Sequence, residues 1–233
     1  VSAQPEVSSY SIYNEDFKSR EQVNPLLDIF PALPDKKYSI IYADPPWHYN
    51  GKMQFDRSGK TDENPGWKRG IFISSACFKY PTLKTKELKT LPIESIAEDD
   101  ALLFMWSSSP HLEQAISLGS AWGFDYKTIA FVWNKMNHNP GQYTLSYCEV
   151  CLLFKRGRIP KPRGARNIKQ LIEVPRNGHS EKPEQVAEGI QKMFPEQAKI
   201  ELFARHTREA WDSWGLESIL NRQLNLADER SCR

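Results

Sequence analysis

Tyr38-Ser39-Ile40-Ile41-Tyr42-Ala43-Asp44-Pro45-Pro46-Trp47 is the stretch that decides how this chain folds. Its first six residues read as a strand rich in apolar and β-branched side chains. The next four cannot continue it. Each proline fixes φ near −65° and neither can donate to a ladder, so the strand ends at Asp44. In open α/β sheets, chemistry sits just past the carboxyl ends of strands. The sequence therefore holds a carboxylate, a forced backbone and a flat aromatic at one strand exit. Together they can hydrogen-bond and stack a planar amine, which is what methylating the exocyclic amino group of a nucleobase requires. The plain alternative is a strand-terminal Asp capping a turn beside a core Trp. Placement directly after a strand favours the functional reading.

Outward from this stretch, strands alternate with helices. Leu102-Leu103-Phe104-Met105-Trp106, Thr128 to Trp133, residues 147–154 and Lys199 to Phe203 read as strands. One helix begins near Pro110 and carries Leu112, Ala115, Ile116 and Leu118 before Gly119. A second begins near Pro183, which suits a first-turn position, and runs to about Phe194. Arg208 onward is predicted helical through Trp214. The alternation predicts an α/β sheet with helices on both faces. Residues 1–37 form an arm and lead-in, 38–217 one domain, and 218–233 a tail. Residues 48–79 make a long polar segment, and segments of that kind are usually functional or mobile.

Composition bounds the alternatives. The 233 residues suffice for one domain with a sizeable core. A hydrophobic content of 39% and a charged content of 26% fit an ordinary globule and not a disordered chain. A net charge of +2 does not announce a nucleic-acid partner, so local clustering must carry that argument. No apolar run approaches the roughly 20 residues of a membrane span, and residues 1–25 are too polar for a signal peptide. Four cysteines suggest no disulfide framework, which places the chain in a reducing, cytoplasmic setting. Cys148 and Cys151 lie in a predicted strand, where residues three apart face opposite ways, so core strand is favoured over a metal or redox pair. Histidines 48, 111, 138, 179 and 206 show no paired ligand spacing, and no metal is expected.

Residues 155–169 hold Lys155, Arg156, Arg158, Lys161, Arg163, Arg166 and Lys169 with no acid among them. Gly157, Pro160, Pro162 and Gly164 make the segment a loop. Seven unopposed cations beside a base pocket would suit phosphate contacts. A solvated charged loop is the alternative. Lys60, Lys68 and Arg69 could add to the patch.

The strand exit belongs to an ordered series. Tyr80-Pro81-Thr82-Leu83, Leu91-Pro92-Ile93, Phe104-Met105-Trp106, Trp122-Gly123-Phe124 and Val132-Trp133-Asn134-Lys135 follow it. Near the end stand His179-Ser180-Glu181-Lys182-Pro183-Glu184, Lys199-Ile200-Glu201-Leu202-Phe203-Ala204-Arg205 and Trp211-Asp212-Ser213-Trp214-Gly215. Over about residues 38–217, with 48–79 unmatched, this series resembles the mRNA-adenosine-methyltransferase-like family, the N6-adenine methyltransferases that carry an Asp-Pro-Pro-Trp motif and use S-adenosylmethionine. The resemblance implies a Rossmann-like methyltransferase sheet in permuted order, with the catalytic motif early and the cofactor segment late. It implies that Asp44, Pro45, Pro46 and Trp47 are catalytic. Asp44 would touch both the cofactor and the target amine, and Lys182 would hold the cofactor carboxylate. Phe203 and Arg205, with His206 adjacent, would line the nucleoside part. Glu217 would accept from the ribose hydroxyls, and Asp28 and Ile29 would approach the adenine ring. Where family members often have Gly-Asn after the second Trp, this chain has Gly215-Leu216-Glu217.

The Pro45 carbonyl is the expected second acceptor for the target amine, and Trp47 the expected stacking platform. Tyr80 and Lys135, together with Arg156, Arg158, Lys161, Arg163 and Arg166, are the expected nucleic-acid contacts. The combined reading is an N6-adenine methyltransferase acting on nucleic acid, DNA in preference to RNA, in a bacterial or phage-infected cytoplasm, with a homodimer allowed. Two alternatives stay open: an RNA N6-adenosine methyltransferase, and a catalytically silent nucleic-acid-binding partner subunit. A glutamine-modifying enzyme fits less well, because Asn more often leads the corresponding motif there.

Overall fold

The computed structural model describes residues 30–48, 82–139, 143–176 and 181–215. Its strands are β1 (Tyr38–Ala43), β2 (Ala97–Ser107), β3 (Asp125–Asn139), β4 (Ser146–Arg156), β5 (Leu171–Glu173), β6 (Lys199–Leu202) and β7 (Asp212–Trp214). Its helices are α1 (Thr85–Leu88), α2 (Leu112–Ala121) and α3 (Glu184–Met193), and short 3-10 turns span Ile93–Ile96 and Ser109–His111. The strands form one sheet in the order β5-β3-β4-β2-β1-β6-β7. β1 pairs in parallel with β2 and β6, β6 with β7, and β3 with β5. Among the described strands only β4 runs against its neighbours, β2 and β3. This is a Rossmann-like α/β sheet with one reversed strand.

Side-chain alternation builds the two layers. Ile41 and Ala43 of β1 and Leu103 and Met105 of β2 face α1 and α2, where Leu88, Ala115, Leu118 and Trp122 complete one core. Ile40 and Tyr42, with Leu102, Phe104 and Trp106, face α3, where Val186, Ala187, Ile190 and Phe194 complete the other. The apolar runs in β1 and β2 are continuous because both faces are covered. α2 runs past Gly119 to Ala121 because that glycine is a packing position: a Cβ there would overlap the Phe154 ring. Residues 30–37 pack on the same body, with Phe30 stacked on Trp214 at 4.9 Å and the Trp214 indole donating to the Pro31 carbonyl at 3.0 Å.

The helix expected after Arg208 is instead a turn leading into β7. Trp211 and Trp214 are both buried and three residues apart, which imitates helical spacing. Asp212, Ser213 and Trp214 pair in parallel with Ile200, Glu201 and Leu202. The short β5 and α1 carried too few periodic residues to announce themselves.

The connections locate the cleft. From β1 the chain crosses to β2 on one side, whereas β6 takes the other side of β1. The strand order therefore reverses between β1 and β6. In such sheets ligands bind in the crevice at the carboxyl ends of those two strands. Asp44 follows β1 directly, and Phe203-Ala204-Arg205 follows β6.

Candidate active site

Asp44 continues the alternation of Ile40 and Tyr42 and so points toward the α3 layer. There its Oδ2 lies 3.0 Å from Nζ of Lys182, two residues ahead of α3. The same ammonium is 3.3 Å from Oε2 of Glu149 on β4. Oε1 of Glu149 is 3.4 Å from Nζ of Lys135 on β3, whose side chain is 3% exposed. Four charges of alternating sign thus run from the exit of β1 across to β3. Lys182 also sits over the Trp106 ring at 5.6 Å, where the indole face favours a cation. The floor beneath is aromatic. Trp106 meets Trp133 edge-on at 6.2 Å and donates its indole N–H to the Tyr42 hydroxyl at 2.6 Å.

The energetics are those of a partly desolvated ion chain. Burial alone would push the Glu149 carboxyl up, but Lys182 and Lys135 outweigh it and hold the group below its ordinary range. Buried charges persist when paired, and each inner member of this chain has two partners. Nearby, burial pushes the Cys151 thiol up, so this cysteine is an inert core side chain. Cys148 is exposed on the same strand. Among the described residues no group of His, Cys, Asp and Glu could hold a metal.

Trp47 does something different from what the sequence suggests. It is 6% exposed and lies in the α2-side core, on the face of the sheet opposite Asp44 and Lys182. Its indole N–H donates to the Trp106 carbonyl at 3.2 Å, and its ring stacks on His111 at 5.5 Å and 16°. An open stacking platform for a base is therefore not what the Trp47 ring presents. The two prolines turn the chain so that the acid stays on one face and the indole anchors into the other. Backbone bonds tighten the turn: Trp47 N–H donates to the Pro45 carbonyl and Leu83 N–H to the Pro46 carbonyl, each at 2.8 Å.

The second half of the cleft is the exit of β6. Phe203 has φ of 61°, a left-handed conformation costly for a side-chain-bearing residue and typical of functional turns. Its ring meets Phe30 and Trp214 edge-on, at 5.7 and 5.4 Å. Ala204 N–H donates to the Trp214 carbonyl at 3.0 Å, and Gly215 allows this approach, since a Cβ there would collide with the Ala204 backbone. Arg208 braces the segment from below. Its guanidinium pairs with Glu201 of β6 at 2.7 Å and with Glu184 of α3. His206 is 3.9 Å from the same Glu184 carboxylate, and Arg205 is half-buried beside it.

Other expected site residues lie elsewhere. Lys135 is not a phosphate contact, because it is buried against Glu149. The basic loop is not beside the pocket. β4 is antiparallel, so its last residue, Arg156, pairs with Ala101 in the amino-terminal half of β2, whereas β1 ends level with Met105. Four residues of strand, roughly 13 Å, separate the two levels. Arg156 faces Glu94 at 3.5 Å, and Arg163 lies over the Phe194 ring at 5.6 Å. The loop is pinned to the far end of α3 by Gly164 and Ala165, which donate to the Met193 and Lys192 carbonyls. The Arg158 backbone N–H donates to Asp100, and the side chains of Arg158, Lys161 and Arg166 are exposed at that end. Asp28, Ile29, Tyr80 and Glu217, with Lys60, Lys68 and Arg69, lie outside the described residues.

Two site residues were missed in the sequence. Glu149 stood between two cysteines that drew the attention. The usable signal was a carboxylate inside an otherwise apolar strand, which must find a cation if the strand is buried. His111 was passed over for want of a second histidine at ligand spacing.

Comparison with known proteins gives a consistent result. Residues 38–217 match the MT-A70 family. The Type II methyltransferase M.MunI of Mycoplasma sp is 60% identical over 211 residues, which cover 91% of this chain and 91% of that protein. The N(6)-adenine-specific methyltransferase METTL4 of Mus musculus is 24% identical over 218 residues, covering 84% of this chain and 41% of that one. The N(6)-adenosine-methyltransferase catalytic subunit METTL3 of Homo sapiens is 24% identical over 177 residues, covering 72% of this chain and 26% of that one.

Proposed function

This chain belongs to the MT-A70 family of methyltransferases, and we propose that it transfers a methyl group from S-adenosylmethionine to the N6 amino group of adenine in nucleic acid, with DNA preferred over RNA. The observation that carries this reading is the meeting of Asp44 and Lys182 at 3.0 Å beside the reversal of strand order. DNA is favoured because the chain matches a Type II methyltransferase along 91% of both lengths, but the adenosine methyltransferase METTL3 along only 26% of the latter.

The donor set suits the cofactor. Its amino-acid end carries an ammonium and a carboxylate, and the crevice offers Asp44 and Glu149 to the one and Lys182 to the other. When bound, it supplies a methyl group on a sulfonium. Phe203, Ala204 and Arg205 at the β6 exit would line its nucleoside part, with Glu217 toward the ribose and Asp28 and Ile29 toward the adenine ring.

The protein's own work is to make a poor nucleophile reactive. The lone pair of N6 is delocalised into the adenine ring. Asp44 accepts one N–H of the amine and the Pro45 carbonyl accepts the other. That carbonyl already accepts from Trp47 N–H, but its oxygen has a second lone pair. Two acceptors set at an angle draw the nitrogen toward tetrahedral geometry and free its lone pair. The amine's new N–C bond forms as the S–CH3 bond breaks to leave a neutral thioether, and the methylated nitrogen then sheds one proton to water. Holding the reactants in line supplies most of the acceleration. Lys182, 3.0 Å from Oδ2 of Asp44, holds the carboxylate in place for the amine.

The test is transfer of labelled methyl onto DNA and RNA duplexes of matched sequence, with the modified nucleoside identified by mass spectrometry. N6-methyldeoxyadenosine is the expected product, formed faster than its RNA counterpart. Label found only on cytosine or on protein would overturn the reading.

A further inference from the structure

The Asp44–Trp47 turn must hold its carboxylate and carbonyl to a fraction of an ångström, and much of its anchorage comes from one imidazole. His111 closes the 3-10 turn Ser109–His111 that leads into α2, and it is 6% exposed. It touches the turn in two ways. Its ring stacks on Trp47 at 5.5 Å and 16°, and its Nε2 lies 3.2 Å from the carbonyl of His48, the residue that follows the motif. On its other side Nδ1 is 2.9 Å from the Ser108 hydroxyl oxygen.

The chemistry of these partners assigns the proton. A backbone carbonyl can only accept, so Nε2 carries the hydrogen. Burial pushes the His111 pKa down, which keeps the ring neutral and leaves Nδ1 a lone pair for the Ser108 hydroxyl. The result is a fixed tautomer, oriented by Ser108 at the carboxyl end of β2. His48 is tied in turn to Thr82, with Nδ1 2.9 Å from the hydroxyl oxygen.

We infer that His111 is a positioning residue for the methyl-acceptor site: its stack on Trp47 and its bond to the His48 carbonyl fix the turn that presents Asp44 and the Pro45 carbonyl to the target amine. His111 stacks on Trp47 of the α2-side core, while Lys182 meets Asp44 and Glu149 ahead of α3 and the β6 exit lies across β1 from β2. Its loss should therefore slow methyl transfer far more than it weakens cofactor binding, for which Glu149 and Lys182 stay in place. The inference rests on the function proposed above.

The test compares the full-length wild type with three variants. His111→Phe keeps a stacking ring, His111→Gln keeps an N–H donor, and His111→Ala keeps neither. Single-turnover methyl transfer to duplex DNA is measured beside calorimetric titration with S-adenosylhomocysteine. The single-turnover rate should fall by about tenfold or more for Ala, with Phe and Gln each recovering part of it, because a displaced acceptor loses near-attack geometry. Affinity for S-adenosylhomocysteine should stay within about threefold in every folded variant. If the Ala variant fails to fold, the Phe and Gln variants decide. Rates within about twofold of wild type in the folded variants, or rate and affinity falling together, would overturn the inference. A wild type that places no methyl on adenine would instead overturn the function on which it stands. As an independent check, ¹⁵N NMR of the imidazole should show a neutral ring protonated at Nε2, and a charged ring or the opposite tautomer would sink the assignment.

Discussion

The two charged regions of this molecule sit at opposite ends of one sheet and work by opposite rules. At the carboxyl end, Asp44, Lys182, Glu149 and Lys135 come from four separate segments and meet as a partly buried chain with contacts of 3.0 to 3.4 Å. At the amino end, Arg156 to Lys169 are contiguous in sequence, largely exposed, and attached to whatever lies nearest: Glu94, the Phe194 ring, the end of α3. A run of like charges is conspicuous in a sequence because its members are neighbours there. A site is made by residues that become neighbours only after folding. The difference teaches that charge density along a chain is a poor guide to charge in the pocket.

The largest test of that contrast is Asp44→Ala. Turnover should fall by about a thousandfold or more, the scale of losing a positioned acceptor. Circular dichroism should not change, because Lys182 keeps Glu149 as a partner. Activity within about tenfold of wild type would mean that the chain of charges is structural only.

Next comes Glu149→Gln. It strips a neutralising carboxylate from Lys135, whose side chain is 3% exposed. Unfolding in urea should show a loss of about 3 kcal/mol, the scale of breaking one partner from a buried pair. Adding Lys135→Met should restore most of it. The pH dependence has a definite sign. The folded-state pKa of Glu149 lies below its ordinary 4.5, so its contribution is present above that value and is lost as pH falls through the folded pKa. The variant should accordingly lack part of the wild type's acid destabilisation between about pH 5 and the folded value. Equal acid sensitivity in both would break the electrostatic account.

Lys182→Ala should weaken binding of S-adenosylhomocysteine by roughly ten- to a hundredfold in a calorimetric titration, the equivalent of one charge-assisted hydrogen bond. Unchanged affinity would confine Lys182 to its partners Asp44 and Glu149. The smallest effect is expected at the other end of the sheet. Neutralising Arg158, Arg163 and Arg166 should leave the single-turnover rate within about twofold and the salt dependence of DNA binding nearly unchanged. If the log–log slope instead flattened by about one unit for each residue, the loop would belong to the nucleic-acid face and the comparison would fail.

The fold was legible where apolar runs were long. β1 keeps its expected bounds, and β2, β4 and α3 lie within a few residues of theirs. The two prolines marked the end of β1 because their geometry admits no other reading. What could not be read was convergence. Nothing local says that residue 149 will face residue 182, since that depends on β4 running backward beside β2. The same reversal sent the basic loop away from the site. Trp211 and Trp214 misled by their spacing, because short strands and helices both place residues three apart where one pattern is sampled too briefly to tell. Trp47 was expected to stack on a base, and its ring is buried against His111 instead, because an indole useful for stacking is equally useful as an anchor.

That anchor makes the sheet's edge a lever. With the acid on one face and its indole footing on the other, the two hydrophobic layers are joined through four residues. Repacking beneath α2, at Leu88, Leu118 or Trp122, would tilt the footing and be read out as a change of rate on the opposite side. An engineer seeking a hardier enzyme would do better to work at the far end of α3, around Phe194 and Met193, where the layer can be tightened without moving Asp44.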